Sequence, residues 1–441
     1  MPARLKNLFR HQLLVKYLKN TSWLFLEKVL RISVGLLVGA WMARYLEPDA
    51  FGLYSYALSF VGLFAIFSSL GMDGVLVKEL VNHETKDKEI INTGLFLRFT
   101  ASLIVIFAIF ITSNIFINDR LSIQLILIAS SSVLLQSFNI IDLHLQSRVL
   151  GRYTAYVNSI ALFSSSLVKI FLIINKASLV AFVYVVIFEA AVLASGYIYI
   201  YLKTSSSHKI ALKFVNLDLG FSILKKSWPM LISTVFVTIY MKIDQIMIMQ
   251  FLGSAAVGQY AVALKLSESW YFIPGVIATS LFPAIISAKN ESLVTYNNRL
   301  SRLYALMIYL SVFIAILVSL YGGAVIDFLY GEQYKYALAP LIIHIWAGVF
   351  VFIGNVTTRW MINENLQIYA AIYSGVGAVL NIALNYVLLP KIGVTGAAIA
   401  TLVSYGVSSY FCLLLSPKTR VAFFHVSKSI LPPTTINSGS R

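Results

Sequence analysis

The chain has 441 residues, of which 59% are hydrophobic and only 12% are charged, and its mean hydropathy is +0.82. Its formal net charge is +16, and it contains one cysteine, Cys412. A composition this apolar excludes an ordinary soluble globular fold, in which about a quarter of the residues are charged. A single cysteine excludes a disulfide framework.

Long apolar stretches follow one another along the chain. A helix needs about 20 predominantly apolar residues to cross the hydrocarbon core of a bilayer, and twelve stretches reach this length. The pattern predicts an all-α polytopic membrane protein. The residues before the first stretch are polar and basic, and that stretch is of span length, so we interpret it as an uncleaved helix. The predicted spans are 22–46, 50–70, 93–117, 121–145, 154–174, 178–202, 228–250, 256–280, 301–327, 337–362, 366–389 and 393–415.

The basic residues are distributed unevenly between the two sides of the predicted membrane. If the amino terminus lies inside, 23 of the 34 Lys and Arg residues fall in inward segments and four fall in outward turns. This asymmetry places both termini on the cytoplasmic side and makes the protein a multi-pass protein of the cytoplasmic (inner) membrane. The net charge is thus a topology signal, and it predicts contact with membrane lipids rather than with nucleic acid.

The longest inward connection divides the twelve spans into two sets of six. The sequence therefore predicts two six-helix lobes around a central cavity. The predicted parts are an N-terminal lobe with a basic cytoplasmic tail at 1–202, a cytoplasmic connection at 203–226, a C-terminal lobe at 227–415 and a cytoplasmic tail at 416–441.

An internal repeat supports this division. Segment 46–58 reads LEPDAFGLYSYAL and segment 252–264 reads LGSAAVGQYAVAL, with six identities at a constant offset of 206 residues. Six spans separate equivalent points, so both copies run in the same direction through the membrane. Transporters built from such parallel repeats bind their substrate between the two halves.

Ionisable residues at membrane depth are costly and usually face a cavity or each other. In the first span Glu27 and Arg31 are spaced i, i+4 and share a helix face. In spans seven and eight, Lys242 and Lys265 lie about 17 Å from the turn that joins the spans, as estimated from the rise of 1.5 Å per residue. One interpretation is a set of structural ion pairs. The other is a substrate site whose cavity cations are Arg31, Lys242, Lys265 and Lys28, with Asp244 and Glu268 as candidate proton acceptors.

Polar residues form a further group in spans ten and eleven. Interhelical hydrogen bonds are the favoured interpretation of this group. Its members are Asn355, Thr357, Thr358, Arg359, Asn381 and Asn385. The sequence contains no G-x-x-x-x-G-K-[ST] phosphate loop, H-E-x-x-H motif, Cys/His cluster or G-x-S-x-G elbow. We therefore expect no ATP hydrolysis, no cofactor, no metal and no enzymatic activity.

Four segments closely resemble bacterial polysaccharide flippases: 46–60, 227–248, 257–274 and 384–405 (LNYVLLPKIGVTGAAIATLVSY). These are the Wzx-like exporters of O-antigen and exopolysaccharide in the multidrug/oligosaccharidyl-lipid/polysaccharide exporter superfamily. The resemblance covers essentially the whole chain. It implies translocation of undecaprenyl-diphosphate-linked oligosaccharide, a step in polysaccharide or lipopolysaccharide biosynthesis, from the inner to the outer leaflet by alternating access. Other polysaccharide assembly proteins are the implied partners.

Three alternatives stay open at this point. A multidrug or cation antiporter of the same superfamily would share the fold, but its cavity would be net acidic, whereas the deep cations here equal or outnumber the acids. A peptidoglycan-precursor flippase usually has more than twelve spans. A membrane glycan polymerase or ligase would need a large outward loop, and the outward turns predicted here are short.

Overall fold

The computed structural model describes the backbone of residues 3–204 and 211–430, and side chains within these ranges from Ser22 onward, except at positions 84, 212, 290 and 291. This part of the chain is almost entirely helical and contains no β-strand, which confirms the all-α prediction. The helices are α1 (Ala3–Ser68), α2 (Asp73–Asn82), α3 (Asp87–Phe116), α4 (Arg120–Leu135), α5 (Ile140–Ser147), α6 (Gly151–Ile174), α7 (Leu179–Thr204), α8 (Leu217–Leu252), α9 (Ser254–Glu268), α10 (Phe272–Glu291), α11 (Leu293–Leu329), α12 (Leu338–Asn363), α13 (Gln367–Ile392), α14 (Val394–Ser409) and α15 (Pro417–Ile430).

Eleven helical segments of the described chain are long and apolar enough to cross a membrane. The first of them, Ser22–Asn82, contains two of the predicted spans, 22–46 and 50–70. Glu47 separates these two spans, because its φ of 61° and ψ of 168° are not helical. The structure is therefore that of a polytopic membrane protein with eleven to twelve spans.

The internal repeat is visible in the backbone as well as in the sequence. Gly253, which lies 206 residues after Glu47, has a φ of 83° and a ψ of 179° and separates α8 from α9. Glycine adopts this conformation without a steric penalty, whereas a residue with a Cβ is strained in it. The two outward turns predicted from the sequence thus have the same backbone shape at equivalent positions.

The contacts divide the chain into two compact units, and each contains a segment from the other half of the sequence. Unit 1 consists of Met1–Tyr45 and Phe60–Ile232, and unit 2 consists of Leu46–Ser59 and Ser233–Arg441. The lobe boundaries at 202 and 227 that the sequence indicates stay a prediction.

Unit 1 is built around an apolar cluster formed by side chains of α2, α3, α5, α6, α7 and the start of α8. Met72, Leu76 and Ile141 are fully buried in it. The start of α8 belongs here because Ile223 is buried in the same cluster and Lys226 pairs with Glu79 at 2.7 Å. Apolar burial and one ion pair thus hold the first four turns of α8 in unit 1.

Unit 2 has its own apolar cluster, formed mainly by α10, α11, α12 and α15. The segment Leu46–Ser59 is part of this unit. It is held by a buried hydrogen bond of 2.9 Å from Ser59 to Gln245 and by the ring of Phe51, which meets Tyr334 edge-on at 6.2 Å. A piece of the first half of the sequence therefore completes the packing of unit 2.

Two segments predicted as a connection and a tail contain helical structure. The connection predicted at 203–226 is helical from Leu217, and residues 205–210 lie outside the described part. The tail predicted from 416 contains α15, which buries Ala422 and Val426 in the core of unit 2. This helix has only 14 residues and contains Lys418, Arg420 and Lys428, so it carries no span signal. The rest of that tail, 431–441, also lies outside the described residues.

The helix of the eighth predicted span is interrupted just before Pro274. Helix α9 ends at Glu268 and α10 begins at Phe272. Proline lacks a backbone N–H and fits best in the first turn of a helix, and Pro274 lies in the first turn of α10.

Candidate functional site

Asp244 is the most deeply enclosed acid in unit 2, with 3% of its surface exposed. Three side chains from three other helices donate hydrogen bonds to its carboxylate. Tyr260 on α9 does so at 2.7 Å, Asn385 on α13 at 2.6 Å and Thr401 on α14 at 2.5 Å. A carboxylate removed from water needs such donors to remain charged. Four helices therefore converge on one buried acid.

Further polar groups lie one helical turn from this site. Asn385 also donates to the side-chain oxygen of Asn381 at 3.2 Å. Two buried oxygens, Asn385 Oδ1 and Ser404 Oγ, have no hydrogen-bond partner among the described residues. Ser404 follows Thr401 by three positions on α14, so the two share a helix face. The site thus contains both donors and unused acceptors.

A second buried polar contact adjoins the Asp244 site through an aromatic ring. His344 on α12 and Ser267 on α9 form a hydrogen bond of 2.5 Å between Nδ1 and Oγ. The ring of His344 meets the ring of Tyr260 edge-on, with centroids 6.2 Å apart. Tyr260 therefore contacts both Asp244 and His344.

The other charged residues predicted in spans seven and eight occupy different surroundings. Lys242 is half-buried, two residues before Asp244, and its charge acts on Glu268 at the end of α9. Residues that are two positions apart on a helix point about 160° away from each other, as estimated from 3.6 residues per turn. Lys265 is exposed. Within unit 2, the structure thus brings Lys242, Asp244 and Glu268 into one electrostatic neighbourhood.

The predicted cluster of the first span lies in unit 1. Arg31 Nε donates to Glu27 Oε1 at 2.7 Å, so the pair expected from the i, i+4 spacing is present. Glu27 is buried, Arg31 is about one-third exposed and Lys28 is exposed. The charge of Glu27 also acts on Asp142, which accepts hydrogen bonds from neighbouring polar side chains. Arg31 therefore has an acidic partner already.

Unit 2 also contains a polar cavity of about 580 Å³ between α8, α12, α13, α14 and the break before α10. Hydroxyl, phenol and amide groups dominate its polar wall, and Arg359 supplies a guanidinium. Its polar side chains are Ser233, Tyr240, Tyr271, Asn355, Thr357, Thr358, Arg359, Ser374, Tyr373, Tyr405, Ser408 and Ser409.

The polar group predicted in spans ten and eleven serves two purposes. Asn385 makes the interhelical bond to Asp244 already described, and Thr357 on α12 bonds Tyr304 on α11 at 3.1 Å. Asn381 accepts its bond from Asn385 on its own helix. The hydrogen-bond interpretation is thus confirmed for Asn385 and Thr357. Asn355, Thr357, Thr358 and Arg359 also line the cavity.

Two of the donors to Asp244 were not predicted. Tyr260 is one of the six residues shared by the repeat, and this identity is a signal in the sequence that could have drawn attention to it. Thr401 carries no signal in the sequence, because threonines are common in membrane helices and its partner is far along the chain. Only the packing of α14 against α9 and α8 identifies it.

Comparison with known proteins gives a consistent result. Residues 17–289 match the family described as "Polysaccharide biosynthesis protein". A putative O-antigen transporter from Shigella flexneri is 23% identical over 412 residues, which cover 87% of this chain and 93% of that protein.

Solved structures show the same fold. An inward-facing multidrug resistance MATE family transporter of the MOP superfamily has a TM-score of 0.72 at 15% identity, covering 90% of this chain and 96% of that one. The lipid II flippase MurJ in its inward closed conformation has a TM-score of 0.68 at 15% identity, covering 94% and 91%. The resemblance inferred from the sequence is confirmed. Because the family match spans more than half of its length, the chain belongs to the polysaccharide biosynthesis protein family.

Proposed function

We propose that the protein is a flippase that moves polyprenyl-diphosphate-linked oligosaccharide from the inner to the outer leaflet of the cytoplasmic membrane by alternating access. The observation that carries this proposal is the family match, extended by the near full-length similarity to a putative O-antigen transporter. The carrier is undecaprenyl diphosphate, both termini are cytoplasmic, and other polysaccharide assembly proteins supply and consume the substrate.

The substrate's headgroup combines a diphosphate with sugars, so it requires cations and hydrogen-bond donors inside the membrane. Arg31, Lys242, Lys265 and Lys28 are the proposed cavity cations. Lys242 is the strongest member because it is half-buried and lies beside an acid. Arg31 already contacts Glu27, so we assign it the weaker role of a cation released when that pair opens.

Asp244 is the proposed coupling residue, with Glu268 as a second proton acceptor. Its charged form is stabilised by Tyr260, Asn385 and Thr401. A protonated carboxyl needs an acceptor instead, and the free Oδ1 of Asn385 becomes one when its amide turns. Uptake and release of one cation at Asp244 would therefore rearrange the contact between α8, α13 and α14. Such a rearrangement links an ion gradient to helix movement.

The proposal is tested with purified protein in liposomes that contain a fluorescent undecaprenyl-diphosphate-linked oligosaccharide in the inner leaflet. We expect the wild type to expose the glycan to an external lectin faster under an imposed proton or sodium gradient. Asp244→Asn should abolish the gradient dependence, whereas Asp218→Asn, an exposed acid on the same helix, should not.

Two results would contradict the proposal. Export of cationic dyes without any exposure of the glycan would make the protein a multidrug antiporter. Glycan chains that lengthen during the assay would make it a polymerase. The imposed gradients also identify the coupling ion, because only one of them should accelerate exposure.

A further inference from the structure

The polar cavity of unit 2 is separate from the hydrogen bonds around Asp244 and has no role in the mechanism above. Its volume of about 580 Å³ falls within the range of roughly 300–1,000 Å³ that is typical of small-molecule sites. It is formed by four helices and the break at 269–271. A cavity of this size among membrane helices is a candidate ligand site.

The chemistry of the wall fits a polyhydroxylated ligand. Tyr240 and Tyr405 lie edge-on at 5.0 Å, and Tyr271 adds a third phenol. Phenol rings offer an apolar face together with a hydroxyl, and hydroxyl groups such as those of Ser374 and Ser408 both donate and accept hydrogen bonds. Sugar rings present the matching combination of C–H faces and hydroxyl groups.

Arg359 gives the cavity its charge. Its guanidinium is half-buried and donates to Thr279 Oγ1 at 3.0 Å and to the carbonyl oxygen of Gly275 at 3.4 Å, both of which are neutral. None of the described residues that line the cavity is an aspartate or a glutamate. A guanidinium has five donors, and here at least three are left for a ligand. A carboxylate or phosphate is the ligand group that matches such donors best.

The cavity is also connected to the proposed coupling site. Tyr240 in the cavity wall precedes Asp244 by four residues on α8, so the two side chains share a helix face. A ligand against the ring of Tyr240 would therefore alter the surroundings of Asp244. In the predicted orientation, Arg359 lies at the cytoplasmic end of its span, which is the side from which the substrate arrives.

We propose that this cavity binds a sugar residue of the lipid-linked glycan through Tyr240, Tyr271 and Tyr405, and that Arg359 binds an anionic group attached to that sugar. This inference rests on the proposed function and specifies the substrate as a glycan with an anion next to the bound ring. The anion is either the carboxylate of an acidic sugar or the carrier diphosphate.

The test measures binding to the purified full-length chain in nanodiscs by calorimetry. The three probes are glucuronic acid, glucose and farnesyl diphosphate, which separate an acidic sugar, a neutral sugar and a carrier diphosphate. We expect Arg359→Gln to weaken binding of one anionic probe at least about tenfold, as expected for the loss of a charge-assisted hydrogen bond, and to leave glucose binding unchanged. The anionic probe that is weakened identifies the source of the anion.

Two further variants complete the test. Arg302→Gln removes an exposed arginine outside the cavity and should change no affinity. Ser374→Phe should fill the cavity and abolish binding of both sugars while the thermal unfolding midpoint stays near that of the wild type. The proposal is overturned if the anionic probes bind Arg359→Gln as tightly as the wild type, or if Ser374→Phe folds and still binds sugar. Liposome transport by the same wild-type protein is measured in parallel. Active flipping without sugar binding in this cavity would contradict only the site, whereas absence of flipping would contradict the proposed function.

Discussion

Gly52 and Ser254 approach so closely that a methyl group on Gly52 would collide with the backbone carbonyl of Ser254. Gly258 makes the same contact with the carbonyl of Pro48. The four residues form two repeat-related pairs, because 258 − 52 and 254 − 48 both equal 206. The repeat-related turns of the two halves of the sequence thus pack backbone against backbone with approximate two-fold symmetry. Ser254 also donates its hydroxyl to Asp49.

We expect Gly52→Ala and Gly258→Ala each to destabilise the protein. The atoms that a new Cβ would meet belong to the backbone, which cannot turn aside as a side chain would. Overpacking of this kind costs about 1–3 kcal/mol. The free energy of unfolding is measured by titration with sodium dodecyl sulfate in mixed micelles.

Gly62→Ala is the matched control for these two variants. Gly62 lies in the same helix as Gly52, and a Cβ there would meet nothing within 4 Å. Alanine is favoured over glycine in a helix by roughly 0.5–1 kcal/mol, so this variant should be neutral or more stable. Equal stability of all three variants would disprove the close backbone contact.

Glu47→Gly should stabilise the protein. The backbone conformation of Glu47 is one that glycine adopts readily and other residues adopt at a cost of about 1–3 kcal/mol. Its repeat equivalent, Gly253, shows that glycine is compatible with this turn. Gly253→Ala should have the opposite effect, although its Cβ would meet no atom within 4 Å. Unchanged unfolding free energies for both variants would contradict the strain at this position.

Thr401→Val should destabilise the protein by about 1.5–3 kcal/mol, the contribution of a hydrogen bond to a charged group. The two side chains have similar shapes, so the lost bond to Asp244 is the main change. In the Asp244→Asn background the same substitution should cost less, because no charge depends on the donor. The unfolding free energies of both single variants and the double variant give the coupling energy directly. A coupling energy of zero would show that Thr401 does not stabilise the charged form of Asp244.

Glu364, in the turn between α12 and α13, should make stability fall at low pH. Burial opposes ionisation of Glu364, but hydrogen bonds from Lys289 at 2.8 Å and Tyr296 at 3.0 Å outweigh it and lower the pKa of its carboxyl. A carboxyl with a lowered pKa stabilises the fold above its unfolded value, here 4.5, and loses this contribution as the pH falls through the folded value.

The size of this effect is limited by exposure. Lys289 is 38% exposed, so we expect less than about 1 kcal/mol for the pair. Unfolding free energies measured between pH 7 and pH 3.5 should decline less in Glu364→Gln than in the wild type. The control, Glu332→Gln, changes an exposed acid outside this pair and should keep the full decline. A decline of equal size in all three proteins would contradict the role of Glu364.

Patterns within one helix could be predicted from the sequence, whereas contacts between distant helices could not. Periodicity and length indicated the spans, and the i, i+4 spacing indicated the bond between Glu27 and Arg31. The donors Tyr260 and Thr401 meet Asp244 only because α9 and α14 pack against α8, and no local pattern records that packing.

The polar cavity could not be predicted from the sequence, for a related reason. Asn355, Thr358 and Arg359 stood out in the sequence, but polar residues in membrane helices bond to each other in most cases. The empty space beside them arises from the combined shapes of four helices and the break at 269–271. The hydropathy pattern likewise does not show that each unit contains a segment from the other half of the sequence.

That exchange has a consequence for biogenesis. Leu46–Ser59 is synthesised long before the rest of unit 2, and Leu217–Ile232 completes unit 1 only after all earlier spans have been made. Neither unit can reach its final packing while its half of the chain is alone in the membrane. We therefore expect the early spans to remain only partly assembled until the later segments have been inserted. Separately expressed halves should be degraded individually and should become stable only when they are produced together in one cell.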